Sequence, residues 1–125
     1  MRLLLDTRLL LWWLSGSPML PQAAAQLIAD PENTIFVSAV SLWEMWLKVS
    51  LGKLRLPSDF ENQLAQQDFE SMPLTADHAR LVATLPWLHR DPFDRMLVAQ
   101  ATSAHLTLLT AGQALSTYGA MVQCV

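Results

Sequence analysis

MRLLLDTRLLLWWL, residues 1–14, is the stretch whose reading decides the fold. Leu3-Leu4-Leu5 is a short apolar run that stops abruptly on Asp6-Thr7, and a second apolar run, Leu9 to Leu14, follows at once. A continuous apolar run closed by a carboxylate reads as a fully buried strand whose acid emerges at the C-terminal edge of a sheet. In open α/β sheets that edge is where ligands bind. Asp6 is therefore the first candidate functional residue.

The 125 residues fit one domain, large enough to bury a core without disulfides or metal staples. Hydrophobic residues make up 52% and charged residues 15%, a composition that excludes disorder and leaves apolar surface for a partner. The net charge of −3 argues against gripping nucleic acid by bulk charge, but not against acting on RNA through a local basic rim and bound cations. Cys124 is the single cysteine, so no disulfide framework or Cys-based zinc site exists, and it reads as an inert tail residue. Asp6 and Arg8 interrupt what would otherwise look like a signal peptide. No apolar stretch approaches the roughly 20 residues that span a bilayer, so a cytoplasmic location with no membrane contact is expected.

Working outward, Leu9–Leu14 reads as a buried helix ended by Ser15-Gly16-Ser17-Pro18, and Pro21–Ala29 as an Ala-rich helix stopped at Asp30-Pro31. Thr34–Ser38 is a β-branched and aromatic strand. Ser41–Val49 carries Leu42, Met45, Trp46 and Val49 at helical spacing before Gly52. Lys53–Pro57 is an extended link, Ser58–Gln67 a polar helix and Phe69–Leu74 a short strand. Thr75–Leu85 is a Thr-capped helix and Pro86–Arg90 a loop. Asp91-Pro92 opens a helix to about Ala104, Leu106–Thr110 is a buried strand, Gly112–Thr117 a short helix and Ala120–Val125 an edge strand. The alternation predicts an α/β domain with a mostly parallel sheet of about four to five strands.

Each acid has a structural reading of its own. Asp6 suits a helix N-cap. Ser41 and Glu44 match the capping-box spacing, but if the helix starts at Ser38 then Glu44 caps nothing and sits among Leu42, Trp43, Met45 and Trp46. Asp91 before Pro92 suits an N-cap, with Asp94 at a position that tolerates acids through the helix dipole. Taken together, these strand-end and early-helix acids converge on one sheet edge, where they repel one another unless a cation sits among them. Carboxylates without His or Cys suit Mg²⁺ or Mn²⁺, which can activate water for phosphodiester hydrolysis.

The stretches LLLDTRLLLWWL, VSAVSLWEMWLKVSLGKLRLP and HRDPFDRMLVAQA closely resemble the PIN-domain ribonucleases, specifically VapC-type toxins of bacterial toxin–antitoxin pairs. The resemblance runs along essentially the whole chain, including LTLLT and YGAMVQCV. It implies a single PIN-like α/β/α domain over residues 1–125, acting as a Mg²⁺-dependent endoribonuclease that a cognate antitoxin holds inactive. By position, Asp6, Glu44 and Asp94 match the family's three most regular acids, the expected catalytic and metal-binding set. Asp91 belongs to the same block and is taken as the cap.

Two departures from the family pattern bear on activity. Arg8 stands where relatives usually carry His; it adds a cation beside Asp6 that contacts phosphate, partly replaces metal charge or faces solvent. Gly112 stands where many relatives place a fourth acid, two residues after Thr110. Thr110 and Thr7 keep hydroxyls for a metal or its waters, but one lost carboxylate weakens metal affinity. A second function class follows, a PIN-fold binding module that is weakened or inactive because of Gly112. A receiver-like or phosphatase-like domain ranks below both, since the paired acids and late-strand Lys are missing.

The remaining residues carry less. Trp12, Trp13, Trp43, Trp46 and Trp87 are expected mostly in the core, with one of the adjacent pair Trp12 and Trp13 facing an interface. His78, His89 and His105 share no metal-ligand spacing and read as surface or helix-end residues. His89, Arg90 and Arg95 form a small basic group beside the acids that either steers RNA phosphate or is a solvated loop. Lys48, Lys53 and Arg55 are open to the same two readings. The apolar excess predicts self-association, as a homodimer or higher oligomer, besides the antitoxin.

Overall fold

A computed structural model describes residues 1–125. Strand β1 (Arg2–Leu5) is followed by α1 (Thr7–Ser15), α2 (Gln22–Ala29), β2 (Thr34–Ser38), α3 (Ala39–Ser50), α4 (Phe60–Ala65) and β3 (Glu70–Met72). Then come α5 (Ala76–Val82), α6 (Pro92–Ala104), β4 (Thr107–Thr110), a 3₁₀ turn at Ser116–Tyr118 and β5 (Val122–Cys124). The strands form one sheet in the order β3-β2-β1-β4-β5, every pairing parallel.

The leucine run explains why β1 is central. Side chains alternate across a strand, so Leu3 and Leu5 enter one core with Ile35, Val37, Leu109, Leu9 and Leu10 of α1 and Met45 of α3. Leu4 enters the other, with Leu108, Val40 and Leu97, Val98 and Ala101 of α6. All three leucines are buried because helices cover both faces of the sheet.

The topology also fixes where a crevice must form. From β1 the chain moves to β2 and β3 on one side, then returns to place β4 and β5 on the other. The connections leaving β1 and β4 diverge at their C-terminal ends, which opens a gap at this switch point. Asp6 and Thr110, the residues at those two ends, flank it.

Several expectations are corrected. Gly112–Thr117 is not a helix: Gly112 adopts φ +80°, a left-handed conformation incompatible with a helical first turn, and only Ser116–Tyr118 closes a 3₁₀ turn. The helix expected to reach Leu85 ends at Val82. Trp12 and Trp13 are both half-buried rather than core, packed against the same apolar cluster. Trp43, Trp46 and Trp87 are exposed rather than core. His78 is not a surface residue. It is buried, where its Nδ1 accepts from the Thr75 backbone N–H at 3.1 Å and completes the cap of α5.

Candidate active site

Asp6 combines two roles that the sequence presents as alternatives. Its Oδ1 accepts from Leu9 N–H at 2.8 Å, capping α1. Its Oδ2 accepts from the Thr110 hydroxyl at 2.6 Å and the Ala111 N–H at 3.0 Å, while Asp6 N–H donates to Leu109 C=O at 3.0 Å. The carboxylate therefore bridges the ends of β1 and β4 across the crevice. Three donors fix its orientation and still leave it a lone pair on Oδ1.

Helix α3 is capped by Ser38, whose hydroxyl accepts from Val40 N–H at 3.0 Å, so Glu44 falls in the second turn and plays no part in capping. It is 6% exposed. Its Oε2 pairs with Lys48 Nζ at 2.6 Å, one helical turn on, whereas its Oε1 is buried with no hydrogen-bond partner. An unpartnered carboxylate oxygen is costly to bury.

Asp91 caps α6, accepting from Phe93 N–H at 2.8 Å and Asp94 N–H at 3.1 Å. Asp94 lies 3.1 Å from His89 Nε2. Its pKa is pushed up from 3.8 to about 6, first by burial, then by the charge of Asp91, with a smaller push from Asp6; the bond to His89 opposes the rise. Asp94 thus senses the other acids of the cluster.

Asp6, Glu44, Asp91 and Asp94 line a single cavity of about 350 Å³ together with Lys48 and His89, Thr7, Arg8 and Thr110 also contributing to its wall. Lys48 and His89, expected only as members of two basic groups, each pair with one of the acids. The i, i+4 spacing of Glu44 and Lys48 was a usable signal for the first; the loop that folds His89 back onto Asp94 left none. Thr110 positions Asp6, and Thr7 donates to the Ser41 hydroxyl at 3.2 Å. Arg8 donates to Ala111 C=O at 2.6 Å and lies over the Trp12 ring, tying α1 to the segment after β4.

Arg95 is placed elsewhere, which corrects the basic group expected beside the acids. It is 3% exposed and faces away from the cavity. It donates to the carbonyls of Pro86, Val82 and Leu85 and to the Tyr118 hydroxyl. Its guanidinium closes the C-terminal end of α5 and is unavailable to steer phosphate.

No group of three or more His, Cys, Asp or Glu side chains is arranged to hold a metal ion directly. The donor set nevertheless fits a hydrated hard cation: four carboxylates in one cavity, an unpartnered Glu44 Oε1 and an Asp94 whose charge is disfavoured by burial and then by Asp91 and Asp6. Mg²⁺ keeps several waters and needs only one or two direct carboxylates, so carboxylates spread around a water-filled cavity suit it.

The fold and cavity define a class, an open parallel α/β domain with an acidic crevice at its switch point. The chain belongs to the PIN domain family, whose model matches residues 3–120. None of the curated proteins compared with it matches in sequence. Among solved structures, the chain is similar over its full length to a chain of VapBC2 from Rickettsia felis bound to a DNA fragment from its promoter, with a TM-score of 0.73, 16% identity and 99% of that chain covered. It is also similar to a chain of a toxin–antitoxin complex from Klebsiella pneumoniae, with a TM-score of 0.65 and 21% identity over 96% of this chain and 94% of the other. A chain of FitAB bound to the IR36 DNA fragment matches with a TM-score of 0.62 and 17% identity, covering 98% and 94% of the two chains. At these identities the likeness is one of fold.

Proposed function

We propose that the chain is a single PIN domain acting as a metal-dependent endoribonuclease, the toxin of a toxin–antitoxin pair, with Asp6, Glu44 and Asp94 as its catalytic acids. The observation that carries this reading is the convergence of these acids with Asp91 in one cavity at the sheet's switch point, within a chain of this family. Toxin–antitoxin complexes among the fold neighbours support a protein partner of antitoxin type, and the exposed Trp43, Trp46 and Leu51 support contact with that partner or a second copy.

Asp6, Glu44 and Asp94 would hold hydrated Mg²⁺, or Mn²⁺, in part through its waters. When bound, the cation supplies a water that is a nucleophile near neutral pH and offsets charge on the scissile phosphate. The chain's own residues do the positioning. Thr110 and the Ala111 N–H lock Asp6, Asp91 holds the first turn of α6 that carries Asp94, and His89 orients the Asp94 carboxylate. Lys48 holds Glu44 and brings a cation to the rim of the cavity.

RNA cleavage with Mg²⁺, with EDTA and after Asp6→Asn tests this directly. The reading expects cleavage only in the first case; equal cleavage in all three discards it. A second reading, a PIN-fold binding module with weakened or no turnover, is favoured by Gly112 and by the Lys48 ammonium already paired with Glu44. It predicts an inert natural chain that gains Mg²⁺-dependent cleavage on Gly112→Asp, and it fails if the natural chain cleaves.

A further inference from the structure

An exposed aromatic ring, Trp87, stands two residues from His89 of the acidic cavity. Trp87 is 77% exposed, the most open of the large hydrophobic residues, yet it is not loosely held. The Arg95 guanidinium lies 3.8 Å from its ring centroid, and that guanidinium is itself fixed by its bonds to Val82, Leu85, Pro86 and Tyr118. Tyr118 also donates to the Pro86 carbonyl at 2.9 Å, bolting down the residue before Trp87. One face of the indole is backed by a buried cation, and the other is presented to solvent.

We propose that Trp87 is a stacking platform for one base of a single-stranded RNA, adjacent to the nucleotide whose phosphate enters the acidic cavity. The proposal rests on the nuclease reading and names how that site takes hold of its substrate. Position supports it first. Trp87 is two residues from His89, which lines the acidic cavity, and that length of chain spans at most about 7 Å. The backbone that carries the ring is therefore close enough for a strand with a phosphate at the acids to reach Trp87.

Charge supports it next. Trp87, Arg90 and Arg95 line a second cavity, of about 230 Å³, with Met96 and Val82 and no carboxylate. In a chain of net charge −3, the exposed Arg90 lies beside a flat exposed ring whose far face is backed by the buried Arg95. Aromatic faces combined with Arg are how single-stranded nucleic acids are held without sequence readout. Preorganisation supports it last, because a ring already immobilised by Arg95 loses little side-chain entropy when a base lands on it.

The test compares the natural chain with Trp87→Ala and Trp87→Phe, on single-stranded RNA that is intact or carries one abasic nucleotide stepped along the sequence. Equilibrium binding is read with Ca²⁺ replacing Mg²⁺, and KM and kcat are read with Mg²⁺. Circular dichroism verifies the fold, which an exposed side chain should leave intact. Trp87→Ala is expected to weaken binding and raise KM by roughly 5- to 100-fold, the range that losing one base–aromatic stack gives, with kcat changed much less. Trp87→Phe should keep most of the affinity. One abasic position should cost the natural chain as much as Trp87→Ala does and cost Trp87→Ala nothing more.

Unaltered RNA binding by Trp87→Ala overturns the platform while cleavage by the natural chain leaves the nuclease reading standing. Loss of a protein partner by Trp87→Ala, with RNA binding unchanged, assigns the ring to a protein interface and likewise overturns the platform. A natural chain that neither binds nor cleaves RNA removes the nuclease reading, and the platform with it.

Discussion

Asp94 and Arg95 are consecutive residues on α6, yet they belong to opposite kinds of electrostatic environment. Asp94 faces a cavity in which burial, and then the charges of Asp91 and Asp6, push its pKa up to about 6; the same cavity is lined by Glu44, whose Oε1 has no partner. Arg95, about 100° around the helix, is buried against three carbonyls and a phenol, which accept from both of its terminal nitrogens. A buried charge whose terminal nitrogens are all matched to acceptors organises structure; carboxylates gathered in one cavity with an unmatched oxygen suit a cation. That contrast separates the architectural charge from the one proposed to be functional, although the two are adjacent on one helix.

The largest expected effect is on the architectural side. Arg95→Leu leaves the carbonyls of Val82, Leu85 and Pro86 without their donor and Trp87 without its backing. It should lower stability by about 2–4 kcal/mol in denaturant unfolding, with no change in midpoint that depends on Mg²⁺. A loss under about 0.5 kcal/mol would mean that water replaces the guanidinium at little cost and would blur the comparison.

On the other side the sign reverses. The folded-state pKa of Asp94 lies above its ordinary value of 3.8, so its contribution to stability is fully present below pH 4 and is lost as pH rises through about 6. Without metal, Asp94→Asn should therefore be more stable than the natural chain at pH 7, by about 1–2 kcal/mol, less than the full shift implies because the carboxylate keeps a solvent-facing edge. The two proteins should converge near pH 4. Thermal unfolding across pH 4–8 measures this, and an Asn variant less stable at pH 7 would show that Asp94 is structurally satisfied, as Arg95 is.

The smallest effect concerns Gly112. Its φ of +80° is one that residues with a side chain adopt at a cost, and a Cβ there would lie 3.8 Å from the nearer Arg8 nitrogen. Gly112→Asp should therefore lose about 1 kcal/mol of stability without metal, partly offset by attraction to Arg8. Mg²⁺ should recover that loss if the new carboxylate joins the cluster. Equal loss with and without Mg²⁺ would mean that the acid pairs with Arg8 alone.

Much of this was legible in the chain because the informative residues are local punctuation. Leu3–Leu5 ending on Asp6 marks a buried strand and its edge, and Asp91-Pro92 marks a helix start whether or not the acid does anything further. The parallel sheet follows from strands alternating with helices. What was not legible depends on tertiary direction. Which way Arg95 points is set by where α5 ends, and α5 ends three residues before the sequence pattern does, at Val82 rather than Leu85. His89 and Trp87 sit in a loop whose path is fixed by Pro86 bonding to Arg95 and Tyr118, contacts that no spacing announces. Glu44 lay between two readings until Ser38, rather than Ser41, proved to cap α3.

The central claim is that Asp6, Glu44 and Asp94 share a cation. Calorimetric titration of Mg²⁺ at pH 6, repeated in buffers of different ionisation enthalpy, tests it without requiring turnover. The account predicts saturable binding with release of a fraction of a proton from Asp94, abolished in Asp94→Asn and accompanied by a rise in Tm of the natural chain. No heat, no Tm rise and no difference between the natural chain and Asp94→Asn would contradict it.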